Sequence, residues 1–181
     1  MLDNIVAHSF RVCEIATYLT DHMIKQNIQL NRDLVHTSAL LHDITKTRSI
    51  KTGEKHAQTG ARILNDMGYP EVGGIIGQHV RLNNYSFSTL PEEVEIVYYA
   101  DKRVLHDKVV PLQDRMEYIL KRYGNDPERR QQIRQGWVET EKLEDKLFRY
   151  LSFAPEKLNA ITTENRESDF FAYRESMETN L

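Results

Sequence analysis

The chain has 181 residues, 40% of them hydrophobic, and a formal net charge of −3, which fits one domain, or one domain with an appendage, around a sizeable core. The small negative charge and the lack of any long basic run argue against a dedicated nucleic-acid or membrane-surface binder. One cysteine, Cys13, leaves no internal disulfide and suits a reducing compartment. No stretch approaches the ~20 apolar residues of a membrane span, and Asp3 and Asn4 do not look like a signal peptide, so a soluble, cytoplasmic protein is expected.

The chain reads as helices separated by short breaks. Residues 3–25 place Ile5, His8, Val12, Ile15 and Leu19 on one face at steps of three and four. Asn31 or Asp33 can cap a second helix through Leu34, Val35, Ala39, Leu40 and Leu41. A polar loop is expected from Thr45 to Gly53. A third helix runs from about Glu54 to Met67 and stops at Gly68 and Pro70. A fourth spans about Glu71 to Arg81, with Gly73, Gly74 and Gly77 weakening it unless they allow close packing. After a loop at Asn83–Ser88, Pro91, Glu92 and Glu93 suit the start of a fifth helix, which continues to Leu105. Pro111 opens a sixth that ends near Gly124. Asp126 and Pro127 begin a long charged seventh, with Ile133, Trp137, Leu147, Phe148 and Leu151 as its apolar stripe. Residues 161–181 are polar and acidic around Phe170, Phe171 and Tyr173. Alternating strand patterns are scarce, so the expected class is all-α.

The informative signal is polar residues inside apolar stripes. His42 and Asp43 close the run Leu40-Leu41. His8 lies among Ile5, Val12 and Ile15, and His56 shares a face with Gly60, Ile63 and Met67. His79 follows Val72, Ile75 and Ile76, and Asp101 sits among Val94, Val97, Tyr98 and Leu105. One buried histidine is ordinarily a hydrogen-bonded core residue. Burying four imidazoles and two carboxylates costs several kcal/mol unless they satisfy one another or share an ion. Neutral imidazole with carboxylate suits Fe, Mn, Zn, Co or Ni better than Ca or Mg. Six donors exceed the needs of one open catalytic ion and fit two ions with a bridging carboxylate. Asp43 has either Lys46 or a cation as its counter-charge. His22, His36 and His106 read as surface or supporting residues.

The order His8, His42-Asp43, Asp101 resembles the H…HD…D signature of the HD-domain metal-dependent phosphohydrolases. "HSFRVCEIA", "ALLHDITK" and "YYADKR" match its three motif neighbourhoods, and "EKHAQTGARIL" and "IIGQHV" resemble the added histidine segments of the two-metal subset. The similarity covers about residues 1–124 and implies an HD-domain helical bundle there; residues 125–181 match nothing in the family, and their own pattern reads as a helical extension with an acidic tail. It implies that His8, His42, Asp43 and Asp101 hold one metal. Asp43 would bridge to a second ion held by His56 and His79. Lys46 matches the lysine that lies near the substrate phosphate. Thr45 departs from the Gly or Ala often found at its position, and Val80 stands where some relatives have a further histidine.

The implied activity is hydrolysis of a phosphate ester or phosphoanhydride of a small molecule, a nucleotide by preference. Two divalent transition metals, Fe or Mn before Zn, Co or Ni, would activate water for it. Asp43 and Asp101 act at the reacting centre, with Lys46 as a point charge on phosphate. Arg81 and Arg103 each follow a ligand by two residues and are candidates for a distal phosphate, against the plainer reading of surface ion pairs. Lys102 reads as solvated, and Tyr98 and Tyr99 as core or as stacking platforms for a base. Three other readings stand beside this one: an HD-fold di-iron oxygenase, a non-catalytic nucleotide or metal sensor, and a purely hydrogen-bonded core. The charged seventh helix is a candidate homodimer arm.

Overall fold

The computed structural model describes residues 1–83, 86 and 89–161. The aromatic cluster at 170–173 and four positions of the 83–88 loop lie outside the described residues. The fold is an all-α helical bundle with a helical extension, organised around α1 (Asp3–Lys25). The stripe of α1 does what its spacing dictates: Val12, Ile15, Ala16, Leu19 and Met23 are fully buried. They pack on α2 (Arg32–Leu41), whose first turn is capped by Asn31 Oδ1 accepting from Leu34 N at 3.1 Å, and on α6 (Glu93–Lys102). Glu92 and Glu95 form a reciprocal capping box at the start of α6, satisfying amides that a helix end leaves free.

The expected loop at Thr45–Gly53 is instead a short helix, α3 (Lys46–Thr52). Its polar side chains hid it, because they serve its backbone: Thr52 Oγ1 donates to the Arg48 carbonyl, and Arg48 pairs with Glu54. Gly53 closes α3 at φ +76°, a conformation glycine adopts without penalty. Beyond it lie α4 (His56–Asp66) and α5 (Pro70–Ile76). These two approach closely: a Cβ on Gly73 would stand 2.9 Å from the Ala61 carbonyl, and one on Gly77 3.2 Å from Ala61 Cβ. Close packing therefore explains two of the three glycines; Gly74 has open space around it.

Two helix ends fall short of expectation. α5 stops at Ile76, so His79 lies in the following turn; Gly73, Gly74 and Gly77 weaken helix just where it stops. α6 ends at Lys102, and Leu105 belongs to a small hairpin, β1 (Val104–Leu105) with β2 (Lys108–Val109), in register Val104↔Val109 and Leu105↔Lys108. His106 takes the turn at φ +56°, and β-branched valines on both arms favour strand over helix.

α7 (Leu112–Tyr123) and α8 (Pro127–Phe148) follow, then a 3-10 turn at Pro155–Ala160. Trp137, Leu143, Leu147 and Leu158 share one apolar core with α1 and α6. Two buried cations fasten this extension to α6. Lys146 Nζ donates to Glu95 at 2.6 and 2.8 Å, and also to the Ser86 carbonyl and Thr89 Oγ1. Arg103, 1% exposed, donates to the Val110 and Pro155 carbonyls, to the Tyr99 hydroxyl, and to Glu144 and Asn159.

Candidate metal centre

Five elements bring the six sequence-selected side chains to one place. His8 comes from the middle of α1 and Asp101 from the last turn of α6. His42 and Asp43 occupy the turn between α2 and α3, His56 opens α4, and His79 follows α5. His8 Nε2 lies 3.1 Å from Asp101 Oδ1. His42 Nε2 lies 3.7 Å from Asp43 Oδ2 and 3.8 Å from Asp101 Oδ1. Asp43 Oδ1 is 3.1 Å from His56 Nε2 and 3.4 Å from His79 Nε2, and those two nitrogens are 3.0 Å apart. Among the described residues, two groups have the spacing to hold an ion: His8, His42 and Asp43, and Asp43, His56 and His79.

The ring orientations are set by the backbone. His8 Nδ1 is 2.7 Å from the His106 carbonyl, His42 Nδ1 2.7 Å from the Ala39 carbonyl, and His79 Nδ1 2.6 Å from the Ile76 carbonyl. A carbonyl only accepts, so each Nδ1 carries the proton, and in a neutral ring Nε2 keeps a bare lone pair. His42 and His79 use one device: each imidazole reaches back three residues to a carbonyl left free at a helix C-terminus. For His8 the carbonyl comes from the hairpin turn that sequence reading had missed.

At His42 a bare nitrogen then faces carboxylate oxygens, acceptor against acceptor. His42 Nε2 and Asp43 Oδ1 are both buried, and neither makes a well-formed hydrogen bond. Burial lowers the His42 pKa to about 4 despite the pull of Asp43 and Asp101, so the ring is neutral at physiological pH, the form that ligates metal. Burial also opposes ionisation of Asp43, but the His56 and His79 rings, His42 and Lys46 outweigh it and hold the carboxyl well below its usual range. Asp101 is likewise buried, and Lys102, His8 and Arg115 keep it ionised. Ionised carboxylates beside imidazoles that present Nε2 form a donor set that fits a divalent transition metal.

The surrounding cations sort themselves by geometry. Lys46 Nζ lies 3.7 Å from Asp43 Oδ1 and 3.3 Å from His56 Nε2. Lys102, read from sequence as solvated, is instead part of the site: its Nζ donates to Asp101 Oδ2 at 2.7 Å and to the His79 carbonyl at 2.8 Å, above the Tyr98 ring. Arg103, expected at a distal phosphate, does not reach the site, because its guanidinium is spent on the extension. Arg81 is exposed on the turn after His79. Tyr98 and Tyr99 are buried, their hydroxyls on Thr140 and Glu144. Arg115, which sequence reading passed over, brings Nη2 to 3.8 Å from Asp101 Oδ1; no spacing rule links it to the motifs. Thr45 gains a reason for its departure: its hydroxyl donates to the His56 carbonyl at 2.7 Å, tying the His42-Asp43 turn to the start of α4.

The sequence profile of the HD domain matches residues 5–106, more than half the chain, and the protein belongs to that family, a metal-dependent phosphohydrolase-type superfamily. A protein of Methanocaldococcus jannaschii is 27% identical over 135 residues, covering 67% of this chain and 79% of its own; its name, Uncharacterized protein MJ0778, states no activity. No solved structure gives a significant match. No described helix is long and apolar enough to cross a membrane.

Proposed function

We propose that the protein hydrolyses a phosphate ester or phosphoanhydride of a small molecule, a nucleotide by preference, with two divalent transition metals. The observation that carries this reading is the opposition of bare His42 Nε2 to the Asp43 and Asp101 carboxylates, which a cation between them resolves. His8, His42, Asp43 and Asp101 would hold one ion, and Asp43, His56 and His79 the other. When bound, such ions supply an activated water and positive charge for phosphoryl oxygens.

The chain's own groups supply the rest. The three backbone carbonyls take up the Nδ1 protons and aim Nε2 at the centre, so that little reorganisation would accompany binding. Lys102 fixes Asp101 Oδ2 and the His79 backbone together, which holds the two halves of the site in register. Lys46, partly exposed beside Asp43, would offer its ammonium to a phosphate as a point charge. Asp101 would orient the attacking water as well as hold the ion. The donor set suits a first-row transition ion; Fe or Mn is our first choice, and Zn, Co or Ni fit the same donors.

The test compares the parent with Asp43→Ala on a panel of nucleotides, dinucleoside polyphosphates and cyclic dinucleotides, with Mn or Fe added. Phosphate release by the parent that falls by several orders of magnitude in the variant is the expected result. Equal rates in the two proteins would end the proposal.

A further inference from the structure

Arg115 stands in the first turn of α7, past residue 106 where the HD-family match ends. Its side chain is 16% exposed, yet its contacts are sparse. Nη2 reaches Asp101 Oδ1 at 3.8 Å, longer than a charge-assisted hydrogen bond. Its Nε is buried with no partner, and its Cζ lies 5.9 Å from the Tyr118 ring centre. Arg103 shows what a satisfied buried guanidinium looks like in this fold: its three nitrogens reach five partners. A guanidinium has five N–H donors and does not deprotonate, so one partly withdrawn from water with so few acceptors has capacity for a further one.

The charge around the site gives that acceptor a sign and a size. Asp43 and Asp101 face three fixed cations, Lys46, Lys102 and Arg115. Positive charge is in surplus before any metal is added, and divalent ions enlarge the surplus. Lys102 already donates to Asp101 and the His79 carbonyl, which makes it a positioning residue. Arg115 is the half-buried donor left over.

We propose that Arg115 grips the non-bridging oxygens of the substrate's phosphate through its planar fork. The site thereby takes a multiply charged phosphate, a phosphomonoester or terminal phosphoanhydride, in preference to a singly charged diester. This rests on the phosphohydrolase reading above and narrows its substrate class.

Calorimetry on the metal-loaded protein, with inorganic phosphate and dimethyl phosphate as probes, tests it, alongside metal content and Tm. The parent should bind phosphate at least about 10-fold tighter than dimethyl phosphate. Arg115→Gln should weaken phosphate by about 10- to 100-fold with metal content unchanged, and Arg115→Lys, which keeps charge without the fork, should fall between. Parent-like phosphate affinity in Arg115→Gln, or equal affinity of the parent for the two probes, would overturn the proposal. If Arg115→Gln does not fold, Arg115→Lys decides alone, and parent-like binding there counts against the fork. Arg115-dependent phosphate binding without any hydrolysis would sink the phosphohydrolase reading and leave this site standing; hydrolysis indifferent to Arg115 would do the reverse.

Discussion

Acid should weaken the metal-free protein through His42. The ring is 1% exposed, and burial holds its pKa at about 4 against an ordinary 6.5. A pKa depressed in the folded state means that the unfolded chain takes the proton first. This share of stability is complete above pH 6.5 and is lost as pH falls toward 4. The gap corresponds to roughly 3 kcal/mol in full, and to about 2 kcal/mol between about pH 7.5 and about pH 5. Asp43 and Asp101, also depressed, act in the same direction, but below their ordinary value of 3.8. Urea denaturation of chelator-treated protein at the two pH values measures the loss, with His42→Asn as comparison. The variant starts less stable but should lose about 2 kcal/mol less over the interval. Equal losses in parent and variant would refute the claim that His42 is held neutral by burial.

Three further outcomes follow from the packing. Lys146→Met strands a buried Glu95 carboxylate and should cost about 3–5 kcal/mol in denaturant unfolding, most of it recovered when Glu95→Leu is added. Gly73→Ala drives a methyl group against the Asn65 side chain and to 2.9 Å from the Ala61 carbonyl. It should cost about 1–3 kcal/mol and lower metal content by displacing α5, which leads to His79, from α4, which carries His56. Arg103→Met should lower stability by about 3 kcal/mol or more while leaving KM for any phosphate substrate unchanged; a raised KM at parental stability would restore Arg103 to the site.

The parts legible in the sequence are those governed by local pattern. The α1 stripe announced its buried face, and histidines recurring within such stripes announced a convergence. What sequence concealed was set by tertiary partners. α3 has no apolar period to read, since its side chains bond their own backbone and Glu54. The hairpin after α6 hides in a run that continues the helical pattern, and only the His8–His106 contact shows its purpose. Arg103 and Lys102 are adjacent in sequence, yet one turns to the extension and the other to Asp101. Spacing from a ligand says which residues are near in the chain; it does not say which way a long side chain points. Arg115 arrives from another helix altogether, and such a contact leaves no trace in spacing.

The central claim is that these imidazoles and carboxylates exist to hold transition metal. Elemental analysis of protein purified without a metal-binding tag, then repeated after adding Mn, Fe or Zn and desalting, tests it most directly. About two first-row ions per folded chain are expected, with near-complete loss in a folded Asp43→Ala variant. A well-folded parent that stays metal-free after loading, or a variant that retains the parent's full metal content, would contradict it.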